Sequence, residues 1–186
     1  SVKIGDLVKR EGLYYEKFTE VPFTGKTSGK TQGSFKNGKK EGPWVEYHEN
    51  GQVQSKGNIK NGKREGPYVS YHDNGKVYFK STFKDGKETG PVESYFENGK
   101  LEFKGTAKDG KSHGLFTDYW ENGQLSSKGT YKNDKQEGPW VSYWDNGQLM
   151  DKATYKNDKK EGPWVFYLSN GQLVEKGTYK NGVKVK

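Results

Sequence analysis

Tyrosine and lysine recur at a fixed step that places them side by side along most of the chain. The members of this candidate surface are Tyr47, Tyr71, Tyr95, Tyr119, Tyr143, Tyr167, Lys56, Lys80, Lys104, Lys128, Lys152 and Lys176. Aromatic rings beside lysines can bind single-stranded nucleic acid, an anionic polysaccharide or lipid headgroups. The structural alternative is that each lysine stem covers a ring while its ammonium group stays in water. Both interpretations remain open from the sequence.

The segment 25–31 contains a glycine and lysine pattern that invites comparison with a phosphate-binding loop. Three residues separate Gly25 from Gly29, where that loop requires four, and no helix is predicted to follow Thr31. We expect a loop without phosphate-binding function.

The three histidines and the acidic turn residues do not form a metal site or a catalytic set. His48 and His72 occupy a repeat position that other copies fill with Phe96, Trp120 and Leu168, so we expect them to fill space as aromatic rings. His113 has no second ligand at metal-binding spacing. The recurrent acids, such as Glu41, stand alone on separate linkers and are expected to be solvated turn residues. The sequence therefore predicts no enzyme, no metal and no cofactor.

Composition excludes several classes of protein. The chain has 186 residues, no cysteine and a formal charge of +8, so disulfides, thiolate chemistry and cysteine-based metal sites are absent. No apolar run approaches the ~18 residues of a membrane span. Leu, Ile, Val and Phe total 32 residues, a content typical of disorder, but 26 glycines and 18 Tyr plus Trp indicate an ordered chain.

A 24-residue repeat organises the chain and provides the elements that carry these residues. Its period is marked by a recurrent glycine at Gly42, Gly66, Gly90, Gly114, Gly138 and Gly162, and by Asn-Gly pairs that begin at Asn50, Asn74, Asn98, Asn122, Asn146 and Asn170. Asn-Gly between two runs of aromatic and β-branched residues is typical of a type I′ β-hairpin. The following linker, 156–163, is longer and ends in a proline that suits the start of a strand. We predict an all-β fold: an elongated, twisted antiparallel meander of repeated hairpins in a single layer. Helices are excluded because Asn-Gly and Gly-Pro interrupt each run of about ten residues.

The predicted two-residue turn fixes which side chains share a face. It pairs Asp145 with Gln148, Trp144 with Leu149, Tyr143 with Met150, Ser142 with Asp151, Val141 with Lys152 and Trp140 with Ala153. One face, the ring face, is expected to lay a ring across the cross-strand glycine, as in Trp44 over Gly57, and to hold the row Val53, Val77, Leu101, Leu125, Leu149 and Leu173. The other, the Tyr–Lys face, holds the twelve candidate residues. We expect residues 1–32 to form an N-terminal cap, residues 33–186 the array of about six repeats, and Val183–Lys186 a last edge strand.

The unit Lys-Gly-Thr-Tyr-Lys-Asn-Gly at Lys176–Gly182, together with Gly-Pro-Trp and Tyr at Gly162–Tyr167, resembles the MORN repeat. It is most similar to a bacterial variant that carries Asn-Gly-Gln-Leu after the tyrosine. The resemblance implies strings of β-hairpins. For function it implies either scaffolding, lipid contact and dimerisation, as in eukaryotic members, or an antitoxin-like role, as in bacterial arrays labelled YwqK-type antitoxins. Neither role attaches to particular residues.

These observations favour a non-enzymatic scaffold that binds another protein. The alternative is an electrostatic binder of an anionic polymer or a membrane surface through the Tyr and Lys rows, and a homodimer is a further open arrangement. Nucleic acid is disfavoured because only Arg10 and Arg64 are present. The chain does not begin with Met, and we expect a periplasmic or secreted location after signal removal rather than a cytoplasmic one.

Overall fold

A computed structural model describes residues 1–185, which divide into two compact units, Ser1–Glu88 and residues 89–185. The strands of the first unit are β1 (Val2–Lys3), β2 (Leu7–Arg10), β3 (Leu13–Glu16), β4 (Gly25–Ser28), β5 (Thr31–Lys36), β6 (Lys39–Tyr47), β7 (Val53–Lys60), β8 (Lys63–Tyr71), β9 (Val77–Lys84) and β10 (Lys87–Glu88). A 3-10 turn at Ile4–Asp6 is the one helical element among the described residues.

The strands of the second unit are β11 (Gly90–Tyr95), β12 (Leu101–Lys108), β13 (Lys111–Ser112), β14 (Gly114–Tyr119), β15 (Leu125–Lys132), β16 (Lys135–Tyr143), β17 (Leu149–Lys156), β18 (Lys159–Lys160), β19 (Gly162–Tyr167), β20 (Leu173–Lys180) and β21 (Val183–Lys184). Within each unit, strands of the repeats pair antiparallel with their neighbours in sequence, as β6 with β7 and β16 with β17. The predicted fold class, an all-β meander of hairpins, is confirmed.

The hairpin at Asn146-Gly147 has a different turn from the predicted one. Gly147 has φ +82°, but Asn146 is not among the described residues with positive φ, so the turn is not type I′. The Gly147 amide donates to the Trp144 carbonyl at 2.9 Å, and the Trp144 amide donates to the Gln148 carbonyl at 2.8 Å. These bonds define a three-residue loop of a turn followed by a left-handed glycine.

The longer loop shifts part of the predicted register. Trp140–Ala153, Val141–Lys152 and Ser142–Asp151 pair as predicted, and a bulge then places Tyr143 opposite Leu149. The predicted Tyr143–Met150, Trp144–Leu149 and Asp145–Gln148 pairs are therefore wrong. Because directly opposed residues share a face, Leu149 lies on the Tyr–Lys face and not on the ring face.

The linker predicted to be long contains the tight type I′ turn instead. Asn157 and Asp158 have φ +49° and +67°, and Lys156 pairs directly with Lys159. The additional residues of this linker interrupt the strand just before Pro163, where Gly162 has a φ of +82°. Both turns of the repeat thus depend on residues that tolerate positive φ.

The ring face supplies most of the core. Trp44, Phe116 and Trp140 are buried and pair with glycine or alanine as predicted. The ring does not lie over this partner, however, but over the glycine of the preceding strand: a Cβ at Gly129 would lie 2.0 Å from the Trp140 ring. Trp140 also meets the Tyr131 ring edge-on at 5.1 Å. Successive rings and glycines therefore interlock along the chain.

The first residues of the chain pack against the start of the repeats. Leu7, Phe23, Phe35 and Trp44 form a buried cluster, and β2 pairs with β3 in a separate two-stranded sheet. This packing suits the predicted role of residues 1–32 as a cap, and the division at residue 33 remains a prediction. At the other end, β21 pairs with β20, and Lys186 of the predicted edge strand lies outside the described residues.

Replacing Gly147 with valine is expected to destabilise the second unit by more than about 1 kcal/mol, because a β-branched residue resists positive φ. Its φ of +82° closes the hairpin loop, and a Cβ there would also lie 2.8 Å from Gln124 Oε1. Urea unfolding measures the loss. An unchanged unfolding midpoint would contradict the loop geometry, and Gln148→Val serves as an exposed neighbouring control.

Candidate functional site

Within each unit, the candidate tyrosines and lysines lie on the same face of the strands. Alternation along β16 places Tyr143 on the same side as Val141, and Val141 pairs with Lys152. The same registers hold for Val45 with Lys56 in the first unit. All six tyrosines are half-buried and all six lysines are exposed. The face thus combines half-buried rings with exposed lysine side chains.

Some contacts match the structural alternative, in which a lysine stem covers a tyrosine ring and the ammonium group stays in water. Lys56 Nζ lies 5.6 Å from the centre of the Tyr71 ring, a cation–π contact between adjacent repeats. Tyr95 donates its hydroxyl to Glu93 Oε2 at 2.6 Å. Stabilising the sheet and binding a ligand are compatible roles for this face, since lysine stems over rings leave the ammonium groups in solvent.

Aliphatic side chains belong to this face as well, which the sequence interpretation missed. Because of the bulge, Val53 pairs with Tyr47 and Leu125 pairs with Tyr119, in the same way as Leu149 pairs with Tyr143. The row Val53, Val77, Leu101, Leu125, Leu149 and Leu173, predicted for the ring face, therefore lies opposite the tyrosines. The Tyr–Lys face is amphipathic rather than purely polar.

An open groove of about 730 Å³ lies on the Tyr–Lys face of the last repeat. Pro163, Val165 and Tyr167 contribute to its floor, and Lys152 and Lys176 stand on either side of Val165 in the register. Three of these five residues belong to the candidate surface, whereas Pro163 and Val165 were not singled out from the sequence. We refer to this feature as the terminal groove.

His48 is half-buried, and its ring does more than fill space. His48 Nε2 lies 2.9 Å from the Tyr71 carbonyl oxygen and must carry the proton to donate. Trp120 Nε1 makes the equivalent bond to the Tyr143 carbonyl at 2.9 Å. In these two repeats a ring nitrogen links one repeat to the next, whereas Phe96 and Leu168 fill the same position without a ring N–H. No group of three His, Cys, Asp or Glu within residues 1–185 could hold a metal ion.

Replacing Trp120 with phenylalanine should cost about 1–2 kcal/mol, because the Tyr143 carbonyl loses its donor. Trp120→His should retain more stability than Trp120→Phe despite its smaller ring, since His48 makes the same bond in another repeat. Thermal unfolding of the two variants compares their stabilities. If phenylalanine proved the better replacement, the N–H would have no role.

The segment 25–31 is a β-hairpin, not a phosphate-binding loop. Gly25–Ser28 and Thr31–Lys36 are paired antiparallel strands, with Gly29 at φ +86° between them. No helix N-terminus is present there to receive a phosphate.

The acidic turn residues are held by backbone amides rather than only solvated. Glu41 Oε2 accepts from the Asn61 amide at 2.7 Å, and Glu161 Oε2 accepts from the Asn181 amide at 2.7 Å. Each bond joins the turns of adjacent repeats. These carboxylates stabilise stacking and are not available as an acid–base pair.

A row of polar side chains crosses the ring face of the second unit and was not anticipated. Asp118, Ser127, Ser142 and Asp151 oppose one another on successive strands, and Ser127 donates to Asp118. Burial raises the pKa of Asp118, the Ser127 hydrogen bond opposes this shift, and the neighbouring Glu102 carboxylate adds to it. The predicted hairpin register contained the Ser142–Asp151 pair but not its continuation across the neighbouring strands, since serine and aspartate are ordinary at solvent-facing strand positions.

Asp118→Asn should stabilise the protein at neutral pH. A carboxyl whose pKa is raised by folding favours the folded state most when it is protonated, so wild-type stability should fall as pH rises through and above the ordinary carboxyl range. The amide oxygen can still accept from Ser127. Unfolding curves across acidic and neutral pH should show a weaker decline for the variant, and parallel curves would contradict the shifted pKa.

The fold defines a β-hairpin repeat protein whose Tyr–Lys face is amphipathic. Six segments match the MORN repeat variant, at residues 40–61, 64–85, 88–109, 112–133, 136–157 and 160–181. Because these segments cover more than half of the chain, the protein belongs to the MORN repeat variant family. No curated protein matches it. The bacterial antitoxin type is not established by this match.

Proteins of this family are in general non-enzymatic repeat scaffolds, and their repeats often mediate contacts with proteins or membrane lipids. Within the described residues, no helix is long and apolar enough to cross a membrane.

Proposed function

We propose that this protein is a non-enzymatic scaffold that binds another protein through its Tyr–Lys face. The terminal groove is the observation that carries the proposal: an apolar floor that includes Val165 and Tyr167 lies between the exposed lysines Lys152 and Lys176. Open, mostly apolar concavities with a few polar groups are typical binding sites. The twelve Tyr and Lys residues are the proposed contact surface.

The chemistry of the groove selects the kind of partner. A partner segment with apolar side chains would bury them against Val165, and acidic residues beside them would meet Lys152 and Lys176. A second copy of the chain, giving a homodimer, is one such partner. An antitoxin-like role is another special case, in which a toxin supplies the segment, and growth rescue with the product of a neighbouring toxin gene would test it.

Selection from a displayed library of random peptides tests the proposal. We expect enrichment of peptides that combine acidic and apolar residues, and we expect Val165→Glu to abolish their binding. Asp151→Asn, on the ring face, is the matched control and should bind as the wild type does. A library that yields no binders, or binders indifferent to Val165→Glu, would refute binding at this groove.

The exposed lysines favour a second candidate function, electrostatic binding to an anionic polymer or a membrane surface. Every lysine of the candidate row is exposed, and the formal charge of the chain is +8. Binding of this type should weaken steeply between about 50 and 200 mM salt.

Co-sedimentation with phosphatidylcholine vesicles that contain phosphatidylglycerol tests this second function, with heparin as the soluble anionic polymer. A Lys152→Gln, Lys176→Gln variant should then lose binding, whereas a Val165→Thr variant, which keeps every charge, should retain it. Absence of binding at low salt would eliminate the electrostatic function and leave the protein-binding proposal untouched.

A further inference from the structure

Phe18 is an exposed aromatic residue in a backbone conformation that aromatic residues rarely adopt. Its relative exposure is 104% and its φ is +64°. The Thr19 amide donates to the Glu16 carbonyl at 3.3 Å, so Phe18 is the third residue of a β-turn, where a positive φ normally requires glycine or asparagine. Such a conformation costs about 1–3 kcal/mol. Within residues 1–185, nothing covers the ring to offset this cost.

The loop that carries Phe18 is held in place by its neighbours. Arg10 donates to Glu20 Oε1 at 3.1 Å and to the Thr19 carbonyl, and its guanidinium lies 4.2 Å from the centre of the Tyr15 ring. Thr19 Oγ1 donates to the Glu16 carbonyl at 3.0 Å. A loop that is held by these contacts and that exposes a strained aromatic residue is preorganised to insert that residue into a partner.

A second apolar residue and two acids accompany Phe18. Val21 is 74% exposed three residues further along the same loop. Glu16 and Lys17 are exposed just before Phe18, and Glu20, which follows it, is paired with Arg10. We call Phe18 and Val21 the apolar knob.

The terminal groove has the complementary properties. Its floor is apolar like the knob, its volume is about 730 Å³, and Lys152 and Lys176 beside it are opposite in charge to Glu16. The knob and the groove are made of different residues, so a copy that offers its knob does not use up its groove residues in the same contact.

We propose that the apolar knob of one copy binds in the terminal groove of a second copy. This inference rests on the proposed function, because it names one partner for the same groove. The contact is heterologous, with a different surface on each side, so it can propagate from copy to copy.

The contact should be weak. A buried aromatic side chain contributes about 150–250 Å², far below the ~1,200 Å² of a stable interface, so we expect a Kd on the order of 0.1–1 mM.

Sedimentation velocity from about 20 µM to about 1 mM, a range that brackets this Kd, tests the proposal. The sedimentation coefficient of the wild type should rise with concentration, whereas Phe18→Gly and Val165→Glu should each stay monomeric. An equimolar mixture of the two variants should form a one-to-one complex and nothing larger, because Phe18→Gly keeps the groove and Val165→Glu keeps the knob.

Two control variants separate this contact from effects on folding. Glu11→Gly relieves another positive φ, of +47°, without removing an apolar side chain, and should associate like the wild type. Phe18→Gly should melt no lower than the wild type, because glycine adopts this φ freely. If Val165→Glu does not fold, the Lys152→Glu, Lys176→Glu variant replaces it and should weaken association at least fivefold.

A wild type that stays monomeric up to the highest concentration would overturn the proposal. Association that persists unchanged in Phe18→Gly would overturn it too, since assembly would then use another surface. Peptide selection on the monomeric protein keeps the two proposals apart: enrichment without self-association would retain the proposed function and reject this contact.

Discussion

Replacing Gly129 with alanine is expected to lower the free energy of unfolding by about 3 kcal/mol. A Cβ at this position would lie 2.0 Å from Trp140 Cδ2 and 2.1 Å from Cε2. The indole cannot move aside easily, because it is only 7% exposed and meets the Tyr131 ring edge-on. One added methyl group therefore requires the repeat to repack.

Gly57→Ala is the matched control, at the same position of an earlier repeat. There the nearest ring atom, Tyr68 Cδ2, is 3.1 Å from the ideal Cβ, so a shift of a few tenths of an ångström suffices. We expect a loss below about 1 kcal/mol. Urea unfolding measures both variants, and equal losses would mean that close approach of the ring does not explain the glycine.

Replacing Trp140 with alanine should cost about 3–5 kcal/mol. The substitution removes the buried indole, its contact with Tyr131, and the hydrogen bond from Nε1 to the Thr130 carbonyl at 3.2 Å. It also uncovers the Gly129 backbone, which the ring shields from water. Chemical denaturation gives the loss directly.

Trp164→Ala provides the comparison for this prediction. Trp164 occupies the same position in the last repeat, but it is only half-buried and its Nε1 has no partner within the described chain. Its removal should therefore cost less than that of Trp140. An equal or larger loss would show that burial of the ring does not set the stability of a repeat.

The sequence predicted the hairpins correctly because the repeat displays the same turn and strand signals many times. It failed at the turns because Asn-Gly alone does not choose between loops. Asn61-Gly62 forms the two-residue turn, with Asn61 at φ +50°, whereas Asn146 keeps a negative φ. Asn146 Nδ2 donates to the Ser169 carbonyl at 2.7 Å in the next repeat, a bond that local propensity cannot reveal.

Because the loop was predicted to be one residue too short, the aliphatic row of the Tyr–Lys face was assigned to the wrong face. A shift of one residue moves a side chain to the opposite face of a strand. The twelve Tyr and Lys residues were placed correctly because they lie beyond the bulge or on the strand before it. Leu149 and its counterparts lie between the loop and the bulge and were assigned to the wrong face, so the row of aliphatic side chains opposite the tyrosines was not predicted.

The bonds that link the repeats have a consequence for how the chain folds. His48 bonds to residue 71, Glu41 to residue 61 and Trp120 to residue 143, so each link spans one repeat or less. Most β proteins fold slowly because strands distant in sequence must meet before they are stabilised. Here each hairpin needs only its neighbour, so folding can begin at several places and spread outward, and ribosomal synthesis can add finished hairpins one at a time.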